Sequence, residues 1–392
     1  MKLADMKEKV REFFLREFSN EPTIIVRAPG RINLIGEHTD YNLGLVFPAA
    51  IDKSMYFAFR ANQTKALNLV AHDLNDRISL QLENPNSDKL WVRYCLGIID
   101  EYKKLGHTLP GFDCIFMSEI PIGAGLSSSA ALECGFAKGI DTLIDSGLNA
   151  WDIVRMSNRS ENNYLGIQSG ILDQFSSMFG QEEKAMLMDC SKDTFEYYPV
   201  ELAPYSLVLI NTNVKHTHLS SGYNDRPAEC KVVVKIAKRE GIEIDHLSQL
   251  NLNQLDALKK QLTDTLYNRA QFIIEENGRV HKFKDALLAK NFTTLGDVLY
   301  ASHYGLQNLY EVSCTELDLL VELSRQQSAI IGSRIMGGGF GGCTLNLILD
   351  EEKERVVKEI SLRYHKQTGI EPSVYHVSIG NGVEVIYRGS QN

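Results

Sequence analysis

Residues 121–131 read Pro121-Ile-Gly-Ala-Gly-Leu-Ser-Ser-Ser-Ala-Ala131, between an apolar stretch with a strand pattern, Gly111–Glu119, and a helix-like stretch, Ala130–Leu143. Gly123 and Gly125 let the backbone turn tightly and approach a ligand with no Cβ in the way. Ser127, Ser128 and Ser129 fall at the helix start, where several backbone N–H groups have no intrahelical partner. Those donors and the helix dipole together make an anion site. The segment does not end in the Gly-Lys-Ser/Thr of a Walker A loop, and its glycine spacing is not that of a dinucleotide fingerprint. It reads as a strand–turn–helix phosphate cradle of a different design.

A second glycine cluster, Gly337-Gly-Gly-Phe-Gly-Gly342, puts five glycines into six residues. Each forfeits about 0.5–1 kcal/mol relative to alanine in regular structure, so the cluster reads as a loop that closes on a ligand or packs against the first loop. Between and around the clusters, strand patterns fall at Thr23–Ala28, Leu45–Ile51, Ser54–Arg60, Ala66–Ala71, Arg77–Leu82, Ala185–Asp189 and Tyr205–Asn211. Helical patterns cover Leu90–Leu105, Ala150–Gln168, Ile171–Phe179, Gly222–Glu240, Leu252–Asn277, Val280–Ala289, Phe292–Leu309 and Thr315–Gln327. Strands at Ile330–Met336 and Thr344–Leu349 flank the second cluster; the helix Glu351–Gln367 and two further strands follow. Mixed elements without regular βαβ alternation predict an α+β fold. The length of 392 residues favours two domains, and helix density changes near residue 195. The expected division is 1–195 and 196–392.

Composition narrows the function classes. The chain is 44% hydrophobic and 23% charged, with a net charge of −9, values of an ordinary globular protein. A pI near 5.6 argues against a nucleic-acid partner. An acidic protein that binds an anion must use local dipoles and a few cations, which is what the glycine-serine turn offers. Seven cysteines at wide spacings, with no C-x-x-C pair, read as reduced thiols in a cytoplasmic protein. The amino-terminal stretch carries charges of both signs and reads as an amphipathic helix, and no apolar run reaches the roughly 18 residues of a membrane span.

Arg27-Ala-Pro-Gly-Arg-Ile-Asn-Leu-Ile-Gly-Glu-His-Thr-Asp-Tyr-Asn42 concentrates Arg31, Glu37, His38 and Asp40 among glycines and a proline. Carboxylate, imidazole and carboxylate suit a polyhydroxylated ligand, since an ionised carboxylate accepts hydrogen bonds from hydroxyls. A zinc site is disfavoured, because the histidine pair at i, i+4 is missing. The stretch from Gly30 to Asn42 closely resembles the signature of the galactokinase family. The 121–131 turn resembles the phosphate loop of the wider GHMP kinase superfamily, and Arg334 to Cys343 resembles its third motif. The motifs occur in family order and span most of the chain.

The resemblance implies a two-domain GHMP kinase fold, with a ribosomal S5 domain 2-like N-terminal domain, a ferredoxin-like C-terminal domain and the active site at their interface. It implies ATP-dependent phosphorylation of the C1 hydroxyl of galactose, the opening step of the Leloir route, by a monomer that needs no nucleic acid or membrane. Asp173, in Gly170-Ile-Leu-Asp-Gln-Phe175, then faces the C1 hydroxyl as base, and Arg31 balances charge on the transferring phosphoryl group. Sugar contacts fall on Glu37, His38, Thr39, Asp40, the backbone of Gly170 and Tyr223. ATP contacts fall on Gly123, Ala124, Gly125, Leu126, Ser127, Ser128 and Ser129, with Trp91 and Tyr94 beside the adenine. Mg²⁺ falls on Ser129 and Glu161. His216 and His218 are read as surface or pocket-rim residues, for want of a third ligand.

The chain departs from the family pattern at Ser169, Leu172 and Met336, where cysteine, methionine and threonine are usual. Two rival readings are a kinase of N-acetylgalactosamine or another sugar, and a sensor that binds sugar and ATP without phosphoryl transfer. The sensor is disfavoured because Ser127–Ala131, Glu161 and Asp173 are all in place.

Overall fold

A computed structural model of the chain describes residues 3–121, 123–214 and 219–389, with backbone alone for 219–224. Helix α1 (Leu3–Phe18) precedes strands β1 (Ile24–Asn33), β2 (Leu45–Val46), β3 (Pro48–Ala61), β4 (Ala66–Ala71) and β5 (Asp76–Gln81). Helix α2 (Leu90–Lys104) and strand β6 (Phe112–Ser118) lead to α3 (Ser128–Ile144), α4 (Ala150–Arg159) and α5 (Leu172–Phe179). Strands β7 (Lys184–Asp189), β8 (Thr194–Pro199) and β9 (Tyr205–Asn211) come next. A helical run follows: α6 (Leu219–Arg239), α7 (Leu252–Ala257), α8 (Asp264–Leu288), α9 (Phe292–Asn308) and α10 (Thr315–Arg325). The chain closes through β10 (Ile330–Ile335), β11 (Cys343–Leu349), α11 (Lys353–Thr368), β12 (Ser373–His376) and β13 (Glu384–Arg388).

Strand alternation sorts the first layers. One sheet has the order β13–β1–β3–β6–β4–β5, antiparallel except where β4 lies beside β6. On β3, Tyr56 and Ala58 pack with Met6, Val10 and Phe14 of α1, while Phe57 and Phe59 join Phe136, Ala137 and Ile140 of α3. Helix α3 sits close because Gly135 and Gly139 face those rings; a Cβ would lie 2.3 Å from Phe57 and 2.1 Å from Phe59. That seat holds the start of α3 against β1, where the Arg31 N–H donates to the Leu126 carbonyl at 3.1 Å. The glycine-serine turn and the polar segment are thereby joined.

The second sheet, β10–β11–β9–β12, is antiparallel and sorts its residues the same way. Val208 and Ile210 pack with Leu320, Leu323, Val356 and Ile360 of α10 and α11. Leu207 and Leu209 join Leu295 and Leu299 of α9 in the same core that holds Phe57. A small third sheet, β2–β7–β8, lies between, and Phe47 meets Phe283 of α8 edge-on at 6.2 Å. The apolar core thus runs through both halves without interruption.

Three local expectations are corrected. The division near residue 195 lands inside β8, a strand missing from the sequence reading that pairs with β7. Strand β13 returns to the first sheet beside β1, where Arg27 Nε meets Glu384 at 2.9 Å, so no single cut separates the sheets. The helix break expected at Gly278 does not occur, because that residue lies inside α8 among buried Ile273, Glu276, Val280 and Phe283. The real break precedes Thr263, whose side chain accepts from the Leu266 N–H and caps α8. Helix α4 does not run to Gln168 but widens at Ser160–Leu165 into a π-helical turn, a form that frequently marks functional sites.

Candidate active site

In the glycine-serine turn, Gly123, Gly125 and Ser127 have φ of 75°, 71° and 56°, the left-handed region that glycine tolerates best. Ala124 and Leu126 between them are buried in the core, so their side chains anchor the loop and only their backbone remains for a ligand. Ser127 holds the N-cap position of α3 without capping it; its hydroxyl donates instead to Asp173 Oδ2 at 2.5 Å. The first N–H groups of α3 therefore have no side-chain cap, which suits an anion. The second glycine cluster packs against this turn: a Cβ on Gly125 would lie 3.5 Å from the Met336 carbonyl oxygen.

Arg31 and Asp173, 142 residues apart, meet at this junction. Arg31 Nε donates to Asp173 Oδ1 at 2.7 Å, and Arg31 Nη1 to the Gly125 carbonyl at 2.5 Å. A cavity of about 240 Å³ opens beside them, lined among others by Glu37, His38, Asp40, Gly170 and Glu161. A more apolar cleft of about 460 Å³ adjoins it, lined by Trp91, Leu132 and Ser128. Tyr94 and Ser129 line both. Trp91 is braced from behind, with Nε1 donating to Asp76 Oδ2 at 2.9 Å and the ring edge-on to Phe116 at 5.6 Å.

The polar segment is held from the other half of the molecule. Glu37 is buried, and its Oε1 accepts from Arg334 Nη1 at 3.0 Å and from the Gly337 N–H at 2.9 Å. Glu276 of α8, fully buried, accepts from the N–H groups of Gly36 and Glu37 at 3.0 and 3.3 Å and from the Ser302 hydroxyl at 2.8 Å. Burial opposes its charge, but Arg279 and Arg334 outweigh it and hold its carboxyl below the usual value. Asp40 behaves oppositely: burial first, then the charges of Asp173 and Glu37, pushes it up to about 6. Gly170 is forced to be glycine, since a Cβ would lie 1.9 Å from Asp40 Oδ2. Burial and Arg226 push His38 down to about 3. Thr39 turns away from the cavity and donates to the Gly36 and Leu45 carbonyls at 2.9 and 2.6 Å, so its hydroxyl fastens the loop. The side chain of Tyr223, and residues His216 and His218, lie outside the described residues.

Glu161 is brought inward by the π-helical turn and is buried. Ser169 Oγ and Gln174 Nε2 donate to its Oε2 at 2.6 and 2.9 Å, and the Ser129 hydroxyl also bonds it. Burial raises this carboxyl, and the Ser169 hydroxyl opposes that rise. The departure at residue 169 thus supplies a hydroxyl donor to Glu161. Leu172 and Met336 are buried, Met336 within the main core. Sequence reasoning missed Glu276 and the pairing of Arg334. Arg334 carried a signal, being a charge inside an apolar strand that has to find partners. Among the described residues no helix is long and apolar enough to cross a membrane.

The galactokinase galactose-binding signature matches residues 12–61, the GHMP kinases N-terminal domain residues 93–181, and the GHMP kinases C-terminal family residues 283–366. Galactokinase of Thermosipho africanus is 38% identical over 362 residues, covering 92% of this chain and 99% of that protein. Galactokinase of Thermotoga maritima is 35% identical over 361 residues, covering 92% and 99%. The structure of Lactococcus lactis galactokinase complexed with galactose superposes with a TM-score of 0.92 at 35% identity, covering 97% of this chain and 99% of that one. Mevalonate kinase of Methanococcus jannaschii, at 19% identity and a TM-score of 0.66, covers 92% of this chain and 99% of its own, and shares the fold. With relatives this similar along nearly their whole length, the chain belongs to the galactokinase family.

Proposed function

We infer that the protein transfers the γ-phosphoryl group of ATP to the C1 hydroxyl of α-D-galactose, giving galactose 1-phosphate and ADP. One observation carries this reading: the Arg31–Asp173 pair lies where the glycine-serine turn meets the polar cavity, so one carboxylate can serve a sugar hydroxyl beside a phosphate cradle. In this reading galactose occupies the cavity of Glu37, His38 and Asp40. The triphosphate lies along residues 123–129, and adenine enters the cleft beside Trp91. Asp173 takes the C1 proton as the oxygen attacks, and Arg31 offsets charge on the phosphoryl group.

A hard divalent cation fits Ser129 and Glu161, a half-buried hydroxyl and a buried carboxylate bonded to each other beside the cavity. Magnesium takes few protein ligands and completes its shell with water and phosphate, so one hydroxyl and one carboxylate are enough protein for it. When bound there, Mg²⁺ supplies neutralisation of phosphate charge. Every side chain in this scheme comes from one chain, so a monomer suffices. The seven unpaired cysteines suit a reducing compartment, the cytoplasm.

A coupled ADP-release assay with galactose, glucose, mannose and N-acetylgalactosamine tests the substrate. Galactose is expected to be turned over fastest. Glucose, whose 4-hydroxyl points the other way, should lose about 5- to 150-fold in kcat/KM, the effect of leaving one buried polar group unpaired. Faster turnover of N-acetylgalactosamine than of galactose defeats the reading.

Asp40 gives a pH prediction. Its folded value of about 6 exceeds the ordinary 3.8, so protonation stabilises the fold. That gain is complete below about pH 3.8 and is lost as pH rises through about 6. Sugar binding runs the other way, because only the ionised carboxylate accepts from two hydroxyls. Galactose KM should rise as pH falls from 7 to 5, and Asp40→Asn should flatten that rise while weakening binding. In urea melts at pH 8 the same variant should be more stable by about 1–3 kcal/mol. A KM independent of pH in the parent protein contradicts the assignment.

A further inference from the structure

A file of hydrogen bonds leaves the sugar cavity behind His38 and ends among the helices of the second half. His38 Nδ1 lies 2.7 Å from the Tyr41 hydroxyl, which lies 2.9 Å from the Tyr310 hydroxyl, which lies 3.3 Å from Cys230 Sγ. Tyr310 is fully buried, follows α9 and lines neither cavity. Its ring packs on Phe272 at 4.7 Å and beside His38 at 4.9 Å, and its carbonyl accepts from Arg226 Nε at 2.7 Å. Both the hydroxyl and the ring are therefore fixed in place.

We propose that Tyr310 is a positioning residue that, through Tyr41, holds His38 as the neutral imidazole protonated on Nε2, so that His38 donates to a sugar oxygen. Burial keeps the ring neutral across the working pH range, and a neutral imidazole has one donor and one acceptor nitrogen. The file can run in two directions. In one, Nδ1–H donates to Tyr41, Tyr41 to Tyr310, and Tyr310 to a thiol sulfur, a weak acceptor. In the other, the Cys230 thiol donates to Tyr310, Tyr310 to Tyr41, and Tyr41 to the imidazole nitrogen. The second direction pairs a phenol, a good donor, with the best acceptor in the file and leaves the weak group at the far end. Cys230 keeps its proton for this, since burial pushes its thiol up to about 11.

The consequence is chemical complementarity. Asp40 and Asp173 only accept when ionised, whereas each sugar hydroxyl can both donate and accept. An Nε2–H on His38 adds a donor, besides Arg31, to a wall of acceptors, so a hydroxyl between His38 and a carboxylate is held in both roles. The kinetic part of this inference rests on the galactokinase reading; the tautomer itself does not.

The test is ¹⁵N NMR of the ¹⁵N-histidine-labelled protein without ligand, with His38 assigned by comparison with His38→Gln. The expected pattern is a bare Nδ1 and a protonated Nε2. In Tyr310→Phe the two tautomers should mix, galactose KM should rise about 5- to 10-fold, the effect of about one hydrogen bond, and kcat and ATP KM should stay within about twofold. Tyr41→Phe should change the tautomer likewise, and Cys230→Ser, which keeps a donor at the end of the file, should preserve both tautomer and KM. A protonated Nδ1 in the parent protein, an unchanged tautomer in both phenylalanine variants, or an equal rise of the galactose and ATP KM in Tyr310→Phe would overturn the proposal. If the expected tautomer is found and galactose is not phosphorylated, this inference stands and the function reading alone fails.

Discussion

Asp173→Asn will bind galactose and ATP almost as the parent does and turn over about 10²–10⁴-fold more slowly. The asparagine keeps the shape of the side chain and one carbonyl oxygen for Arg31, now held at 2.7 Å. It loses the ability to take a proton, and its amide cannot accept the Ser127 hydroxyl that lies 2.5 Å from Oδ2. The proposed ground-state contacts to the sugar through Glu37, His38 and Asp40 are not altered by this change. The loss therefore belongs to kcat rather than KM, the signature of an interaction made in the transition state. Calorimetry for both ligands and an ADP-release assay check the two halves of the statement. Near-normal kcat removes Asp173 as the base.

Arg334→Met will destabilise the fold by about 3–5 kcal/mol and weaken galactose binding at least about tenfold, as measured by urea denaturation and calorimetry. Arg334 is fully buried and donates to the Leu34 carbonyl at 3.0 Å, the Ile335 carbonyl at 2.5 Å, Glu37 Oε1 at 3.0 Å, and the Asn33 carbonyl. Methionine fills similar volume but leaves those carbonyls unpaired and the buried Glu37 carboxylate with the Gly337 N–H at 2.9 Å. Both costs are those of stranding buried polar groups. The double variant Arg334→Met/Glu37→Gln should recover about 1–2 kcal/mol, because the stranded charge is gone. An unchanged urea midpoint in the single variant would mean that Arg334 does not tie β10 to the polar segment.

How much was legible follows from how local each requirement is. The glycine-serine turn declared itself, because left-handed φ at Gly123 and Gly125 is a demand of the backbone at those positions. Alternation located β4, where Leu67, Leu69 and Ala71 are buried and the residues between them only partly so; the stretches Leu45–Ile51 and Ser54–Arg60, read as two strands, are joined instead from Pro48 on in one long β3. Strand β8, Thr194–Pro199, escaped notice; its Phe195, Tyr197 and Tyr198 are only partly buried at the margin of a small sheet, so its pattern is weak. Gly278 misled because a glycine in a helix was read as a stop, yet its flanks are buried and a Cβ there would meet open space.

The site divides along the same line. Arg31 and Asp173 are joined only through the fold, so no pattern in either segment could pair them, and their assignment came from the resemblance. Glu276 was not singled out, because a lone acid in a helical pattern carries no mark of the Gly36 and Glu37 N–H groups that it accepts from. Glu161 was assigned through the resemblance alone, since the π-helical turn that draws it inward is not encoded in helical periodicity. Long-range pairing of charges is what a one-dimensional reading could not supply.

The proposed chemistry requires Asp173 and Arg31 to share one sugar oxygen at the end of the phosphate loop. A crystal structure with galactose, Mg²⁺ and a non-hydrolysable ATP analogue tests it most directly. The C1 oxygen is expected within hydrogen-bond distance of both side chains, with the γ-phosphate in line beyond it and the adenine beside Trp91. Galactose bound with C1 turned away from Asp173, or the triphosphate held apart from residues 123–129, would contradict it.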